Sequence, residues 1–137
     1  MSKEQHPHAQ SREWALQFLY QCEIEKVYFF SEAHFERFAN DFQVSAPALS
    51  FMRLLVEGVF QRLSDLNETI EKQSEHWNLS RMPVIDRCIL RLSAFEMLHL
   101  DTQKPIVINE AIELAKKYST ENSGAFVNGI LDRLAQK

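Results

Sequence analysis

Hydrophobic side chains recur along the chain at intervals of three and four residues, which is the spacing of one face of an α-helix. The longest series alternates between the two intervals without a gap: Leu49, Met52, Val56, Val59, Leu63, Leu66 and Ile70. Shorter series stand near the two ends of the chain: Ala15, Phe18, Leu19 and Cys22, and then Val127, Ile130, Leu131 and Leu134. With only three Gly and four Pro, this pattern predicts an all-α protein.

Capping and helix-breaking residues between the series predict the boundaries of the helices. Residues 1–10 are polar and aperiodic, so we expect a flexible N-terminal arm, with residues 11–137 forming a single helical domain. Ser11 is the predicted N-cap of the first helix. Ser31 is the predicted N-cap of the second, whose inward side chains would be Phe35, Phe38, Ala39 and Phe42.

The long series, residues 49–70, has two interpretations. It could be the seam of a coiled-coil homodimer, or it could pack against other helices of the same chain. Packing within the chain is favoured because the other helices supply enough apolar partners, and the homodimer stays open as an alternative. Further on, Pro105 predicts a loop over residues 101–105, followed by a helix capped by Asn109.

The net charge of -4 limits what the chain can bind through its overall electric field. An acidic protein attracts nucleic acid poorly, which argues against autonomous tight RNA binding. Cys22 and Cys88 each lie within an apolar helical pattern and are expected to be free thiols of a cytoplasmic protein. Residues 1–10 lack the apolar core of a signal peptide and no run approaches ~18 apolar residues, so no membrane association is expected.

Catalysis is not indicated by any motif. Glu110 and Glu113 stand one helical turn apart and could imitate a catalytic pair, but their place near a helix start explains them as charges that favour the helix dipole. No phosphate-binding glycine loop or nucleophile elbow occurs, and the five histidines are scattered. We therefore expect a non-enzymatic protein with no cofactor and no metal site.

The start of the last helix offers candidate binding residues. Phe126 falls about 90° from the centre of the apolar stripe, at about 100° per residue, so it could be exposed and stack on unpaired bases. Alternatively, it fills a gap between two helices. Asn122 and Ser123 are similarly interpreted as helix caps or as polar contacts to RNA.

Three segments of the chain resemble the NusB transcription antitermination family. They are SREWALQFLYQ near the start, WNLSRMPVIDRCILRLSAFEML in the middle, and INEAIELAK followed by FVNGILD near the end. Only residues 25–48 contribute little to the resemblance. It implies a fold of about six to seven helices in two small packed bundles. It also implies binding of boxA-type single-stranded RNA of ribosomal RNA transcripts together with NusE, a ribosomal small-subunit protein, and loading of an antitermination complex on RNA polymerase.

The resemblance also suggests roles for individual residues. Arg12 matches the last arginine of an arginine-rich motif, and Phe126 matches an aromatic residue implicated in RNA contact. Tyr20 matches a tyrosine tied to both partner and RNA binding, while Asp86 stands where an acidic residue is linked to the NusE interaction. Asn122 occupies a position that is often aspartate, and its neutral side chain should repel phosphate less.

The N-terminus departs from the family pattern. Where many relatives carry several arginines, this chain has His8, Ala9, Gln10 and Ser11 before Arg12. Fewer phosphate contacts mean weaker binding with a smaller salt dependence. The alternative hypothesis is therefore a helical protein-interaction module that docks NusE with weak or no autonomous RNA binding.

Overall fold

The computed structural model describes residues 5–74 and 78–136, with the side chains of residues 5 and 6 outside the description. Seven α-helices occupy these ranges: α1 Gln5–Glu25, α2 Glu32–Asp41, α3 Ala46–Gln61, α4 Leu63–Gln73, α5 Val84–His99, α6 Lys104–Tyr118 and α7 Ser123–Ala135. A short 3-10 helix, Leu79–Arg81, precedes α5. No strand occurs in the described ranges. The all-α prediction of about six to seven helices is confirmed.

The chain divides into two compact units between Gln61 and Arg62. This boundary interrupts the long apolar series, because Arg62 leaves helical geometry at φ -118° and ψ 21° and so separates α3 from α4. Most side chains of the series are buried: Met52, Val56, Val59, Leu66 and Ile70. The series therefore packs within the chain, as predicted, and its buried side chains do not form an exposed seam for a second copy.

The first unit starts with a helix that is longer than predicted. Helix α1 begins at Gln5, so the N-cap prediction for Ser11 is wrong, and the predicted arm is helical from residue 5 onward. Residues 1–4 lie outside the described part of the chain. The Ser11 hydroxyl lies 2.6 Å from the carbonyl oxygen of Ala48, and the His8 ring stacks on Phe51 at 4.1 Å. These contacts with α3 stabilise an extra turn that the local sequence does not predict.

Aromatic rings form much of the core of the first unit. Phe18 of α1 meets Phe35 and Phe38 of α2 edge to face, at centroid distances of 5.7 and 5.2 Å. Ser31 caps α2 as predicted, because its hydroxyl oxygen accepts a hydrogen bond from the His34 amide at 3.3 Å. The inward prediction for Phe42 is wrong. This side chain is 51% exposed because α2 ends at Asp41 and the stripe ends with it.

The second unit is built around α5, of which eleven of the 16 residues are buried. Helix α7 faces the core with Val127, Ile130, Leu131 and Leu134, as predicted. The predicted loop at 101–105 is too long, and Asn109 is not a cap. Helix α6 begins at Lys104 with Pro105 in its first turn, where a missing backbone N–H removes no helical hydrogen bond.

Candidate functional site

A buried carboxylate joins three helix ends in the second unit. Asp86 lies in the first turn of α5 and is only 2% exposed. The Ser119 hydroxyl donates to its Oδ1 at 2.7 Å, and the Ser123 hydroxyl donates to its Oδ2 at 3.0 Å. Ser119 ends α6 and Ser123 begins α7. The short turn between α6 and α7 is therefore tied to the start of α5.

In this turn, the hydroxyl groups of Ser119 and Thr120 both lie within hydrogen-bonding distance of the Ser123 hydroxyl. The Ser119 and Ser123 oxygens also lie 2.8 Å apart, so the two serine protons serve three contacts, two to the carboxylate and one between the serines. The oxygen of Ser123 can in addition accept. The Thr120 hydroxyl lies 3.0 Å from it and the Thr120 amide 3.4 Å. Ser123 is 3% exposed, so its hydroxyl faces this network. The predicted contact between Ser123 and RNA would need the network to open.

A pocket of about 200 Å³ opens beside the network. Its lining residues are Met82, Pro83, Asp86, Thr120, Asn122, Ser123 and Phe126. Phe126 sits in the first turns of α7 and is partly exposed, which leaves part of its ring accessible to a flat partner. This geometry agrees better with the first interpretation of Phe126, as an accessible aromatic side chain, than with the second, in which it fills a gap between two helices.

Asn122 lies at the rim of the same pocket and is exposed. It occupies the N-cap position of α7, but its side chain makes no capping hydrogen bond, since its backbone is already helical at φ -84° and ψ -12°. The capping interpretation is therefore wrong for this side chain. The neutral side chain of Asn122 therefore lies at the positive end of the α7 dipole, on an exposed surface.

The other two predicted site residues, Arg12 and Tyr20, belong to α1 in the first unit. Tyr20 is 38% exposed and accessible to a partner. Arg12 is 5% exposed, and its guanidinium carbon lies 5.5 Å from the centre of the Phe51 ring. A cation over an aromatic face is a stabilising arrangement within the protein. A phosphate contact by Arg12 would require this side chain to leave Phe51.

Four residues of the pocket and network were not singled out from the sequence: Met82, Pro83, Ser119 and Thr120. The sequence did contain a signal for the last two. Three hydroxyl residues, Ser119, Thr120 and Ser123, stand between two helical patterns, and the acidic Asp86 stands at the start of an otherwise apolar helix. A second pocket of about 290 Å³ in the first unit was also missed. Its lining includes Phe29, which precedes α2 and belongs to no periodic stripe, and Phe42, which the stripe of the second helix had placed inward.

The two thiols behave as the apolar patterns predict. Neither Cys22 nor Cys88 forms a disulfide, and both are buried. Burial, followed by the negative charges of Glu25 and Glu23, raises the pKa of Cys22 to about 12. Within the described ranges, no three His, Cys, Asp or Glu residues are grouped as a metal site, and His76 and the His6 side chain lie outside those ranges. None of the described helices has the length and apolar character to cross a bilayer.

Comparison with known proteins gives consistent matches over nearly the whole chain. The family model described as the NusB family matches residues 9–136. The transcription antitermination protein NusB of Thermodesulfovibrio yellowstonii is 41% identical over 136 residues, covering 93% of this chain and 90% of that protein. The structure of T. maritima NusB is 36% identical with a TM-score of 0.82, covering 94% of this chain and 90% of that one.

A more distant likeness shows the fold alone. It is to a chain in the crystal structure of the antitermination factors NusB and NusE in complex with dsRNA, with a TM-score of 0.84 and 23% identity. The match covers 95% of this chain and 96% of that chain. The helical order described above is therefore shared with a protein that has been seen with RNA.

Proposed function

The chain belongs to the NusB family, and from this membership we propose that it is a transcription antitermination factor. In this proposal it binds boxA-type single-stranded RNA of ribosomal RNA transcripts together with NusE and helps load an antitermination complex on RNA polymerase. It acts in the cytoplasm, without catalysis and without a cofactor. The observation that carries the RNA part is the accessible Phe126 ring beside an open pocket at the start of α7.

RNA recognition at this pocket would combine stacking with favourable electrostatics. An unpaired base can stack on the Phe126 ring, with Met82 and Pro83 as apolar neighbours. A phosphate near Asn122 would meet a neutral amide and the positive end of the α7 dipole. Asp86 also lines this pocket, and both of its carboxylate oxygens accept hydrogen bonds from serine hydroxyls.

The proposed NusE contact rests on the family resemblance and on the exposure of Tyr20. At 38% exposure, this aromatic side chain can be buried by a protein partner or stacked by RNA, and we assign it to both roles. Asp86 is too deeply buried to meet a partner directly in this conformation. Its proposed effect on NusE binding is therefore indirect, through the turn that it holds.

The second candidate function is a helical protein-interaction module that docks NusE but binds RNA weakly or not at all by itself. Two observations favour it over a strong stand-alone RNA binder. The chain carries a net charge of -4, and Arg12, the remaining match to the arginine-rich motif, is 95% covered and packed on Phe51. None of the residues that line the pocket beside Phe126 is basic, so the lining itself offers phosphate no positive side chain.

A titration with fluorescently labelled RNA separates the two functions. BoxA RNA and a scrambled RNA of equal length are titrated with this protein, with cognate NusE, and with both at moderate salt. The proposal expects the mixture to bind boxA RNA more tightly than scrambled RNA, and more tightly than either protein alone. Binding to NusE with no preference for boxA RNA would instead support the interaction module.

A further inference from the structure

Asp86 is linked by the family resemblance to partner binding, but its surroundings suit a different role. We propose that Asp86 is a positioning residue, whose buried carboxylate holds the turn of residues 119–123 and thereby presents Asn122 and Phe126 to RNA. This inference rests on the proposed function for its RNA readout. The positioning itself can be tested without RNA.

The geometry explains why an acidic side chain suits this position. Each carboxylate oxygen accepts one serine hydroxyl, so Asp86 fixes Ser119 through Oδ1 and Ser123 through Oδ2 at the same time. The two serines stand on opposite sides of the turn, one ending α6 and the other beginning α7. An asparagine at this position would replace one acceptor oxygen with an NH2 group, so one of the two serine hydroxyls could no longer donate to residue 86.

The two hydrogen bonds to Asp86 also determine where the proposed RNA-binding residues lie. Asn122 immediately precedes Ser123, and Phe126 lies three residues after it, within one turn of α7. Asn122 makes no side-chain capping bond that could hold the helix start in place of Ser123. The direction in which Asn122 and the Phe126 ring project therefore depends on the position of Ser123. The hydrogen bond from Ser123 to the buried Asp86 carboxylate is strong enough to fix that position.

The alternative is that Asp86 only contributes to general stability. A stabilising core residue would affect RNA binding no more than any other substitution of equal thermodynamic effect. Ile89→Val provides that comparison, because Ile89 lies on the same helix, is fully buried, and loses a single methyl group.

Amide hydrogen exchange tests the positioning directly. It is measured on the wild type, Asp86→Asn, Ser123→Ala and Ile89→Val proteins. We expect exchange to rise in the peptide covering residues 119–126 for the first two variants, with smaller changes elsewhere. Ser123→Ala provides the test should Asp86→Asn not fold. Unchanged exchange in this peptide for a folded variant would overturn the proposal, whatever the RNA measurements show.

A double-mutant cycle connects the turn to RNA. Affinity for boxA RNA is measured at saturating NusE for Asp86→Asn, Phe126→Ala and the combination of both. Asp86→Asn should weaken binding about tenfold in the wild-type background and much less in the Phe126→Ala background, because the presented ring is then absent. Equal losses in both backgrounds, or an equal loss from Ile89→Val, would show a general effect on stability and overturn the proposal. Absence of boxA preference in the wild type would refute the proposed function instead, and hydrogen exchange would still decide the positioning.

Discussion

Arg53 and Glu32 form a two-point ion pair between α3 and the start of α2. Arg53 Nη1 and Nη2 donate to the two carboxylate oxygens of Glu32 at 2.5 and 2.7 Å. The same guanidinium carbon lies 4.6 Å from the centre of the Phe35 ring. The planar guanidinium of Arg53 therefore binds the Glu32 carboxylate through two hydrogen bonds and packs on the Phe35 ring at the same time. A lysine ammonium cannot adopt this geometry.

Replacing this group with lysine should destabilise the protein. Arg53→Lys keeps the positive charge but loses the paired hydrogen bonds and the flat stacking on Phe35, for a loss on the order of 1 kcal/mol. Thermal unfolding should show a melting temperature lower by roughly 3 °C. Arg37→Lys, an exposed change on α2, is the matched control and should leave the melting temperature unchanged. Equal shifts for the two variants would contradict the role assigned to Arg53.

The same pair should make stability depend on acidity. Hydrogen bonding from Arg53 lowers the pKa of Glu32 below its ordinary value of 4.5, with a smaller contribution from the Arg53 charge. Because the folded pKa is depressed, the stabilisation is present above pH 4.5 and is lost as pH falls through the lower folded value. The difference in melting temperature between wild type and Glu32→Gln should therefore shrink from pH 6 to pH 3. A constant difference over this range would be inconsistent with the shift.

The thiol of Cys22 should be unreactive in the folded protein. A pKa of about 12 and burial leave almost no thiolate at neutral pH, and the thiolate is the reactive form. The Cys88→Ala variant isolates Cys22 for measurement with a chromogenic disulfide reagent at pH 8. The reaction should be slow in buffer and fast in denaturant. Rapid modification without denaturant would show that the end of α1 opens readily.

Periodicity correctly predicted which face of α1 and of α7 is buried. Phe18 and Leu19 of α1, and Val127 and Ile130 of α7, are buried as their spacing indicates, because a helical stripe is a local property. The failures lie where a distant contact decides the structure. Helix α1 extends to Gln5 since residues in its first turns contact α3, which no local pattern encodes.

At the candidate site, too, local features could be predicted from the sequence and contacts with distant residues could not. The exposure of Phe126 follows from its angle on a helical wheel, and Asn122 does stand at the start of α7. Burial of Ser123 could not be predicted, because its acceptor Asp86 lies 37 residues away along the chain. The burial of Arg12 likewise depends on Phe51 of α3. Side chains of these types are usually exposed, and a partner from another helix reverses that expectation.

Removing the Phe126 ring should weaken RNA binding without affecting NusE. Stacking of a base on an aromatic side chain contributes roughly 1–3 kcal/mol, so Phe126→Ala should reduce boxA affinity by about fivefold to 150-fold at saturating NusE. Phe29→Ala is the matched control, since Phe29 is an exposed aromatic residue, 66% accessible, of the first unit. Equal losses in both variants would show that aromatic exposure alone, and not this pocket, determines binding.

A carboxylate at position 122 should change stability and RNA binding in opposite directions. Asn122→Asp places a negative charge at the positive end of the α7 dipole, which should stabilise the fold by about 0.3–1 kcal/mol. The same charge lies at the rim of the Phe126 pocket, where it should repel phosphate and weaken boxA binding severalfold. Salt should reduce the second effect, because it screens exposed charges.

Thermal unfolding and RNA titrations at 50 and 300 mM salt measure the two effects of Asn122→Asp. Asn40→Asp is the control, because it gives the same net charge at an exposed position at the end of α2. If Asn40→Asp weakens RNA binding equally, the overall charge of the protein is responsible. If only Asn122→Asp does so, and the loss is smaller at high salt, phosphate lies close to the start of α7, and the neutral asparagine partly offsets the scarcity of basic residues at the N-terminus.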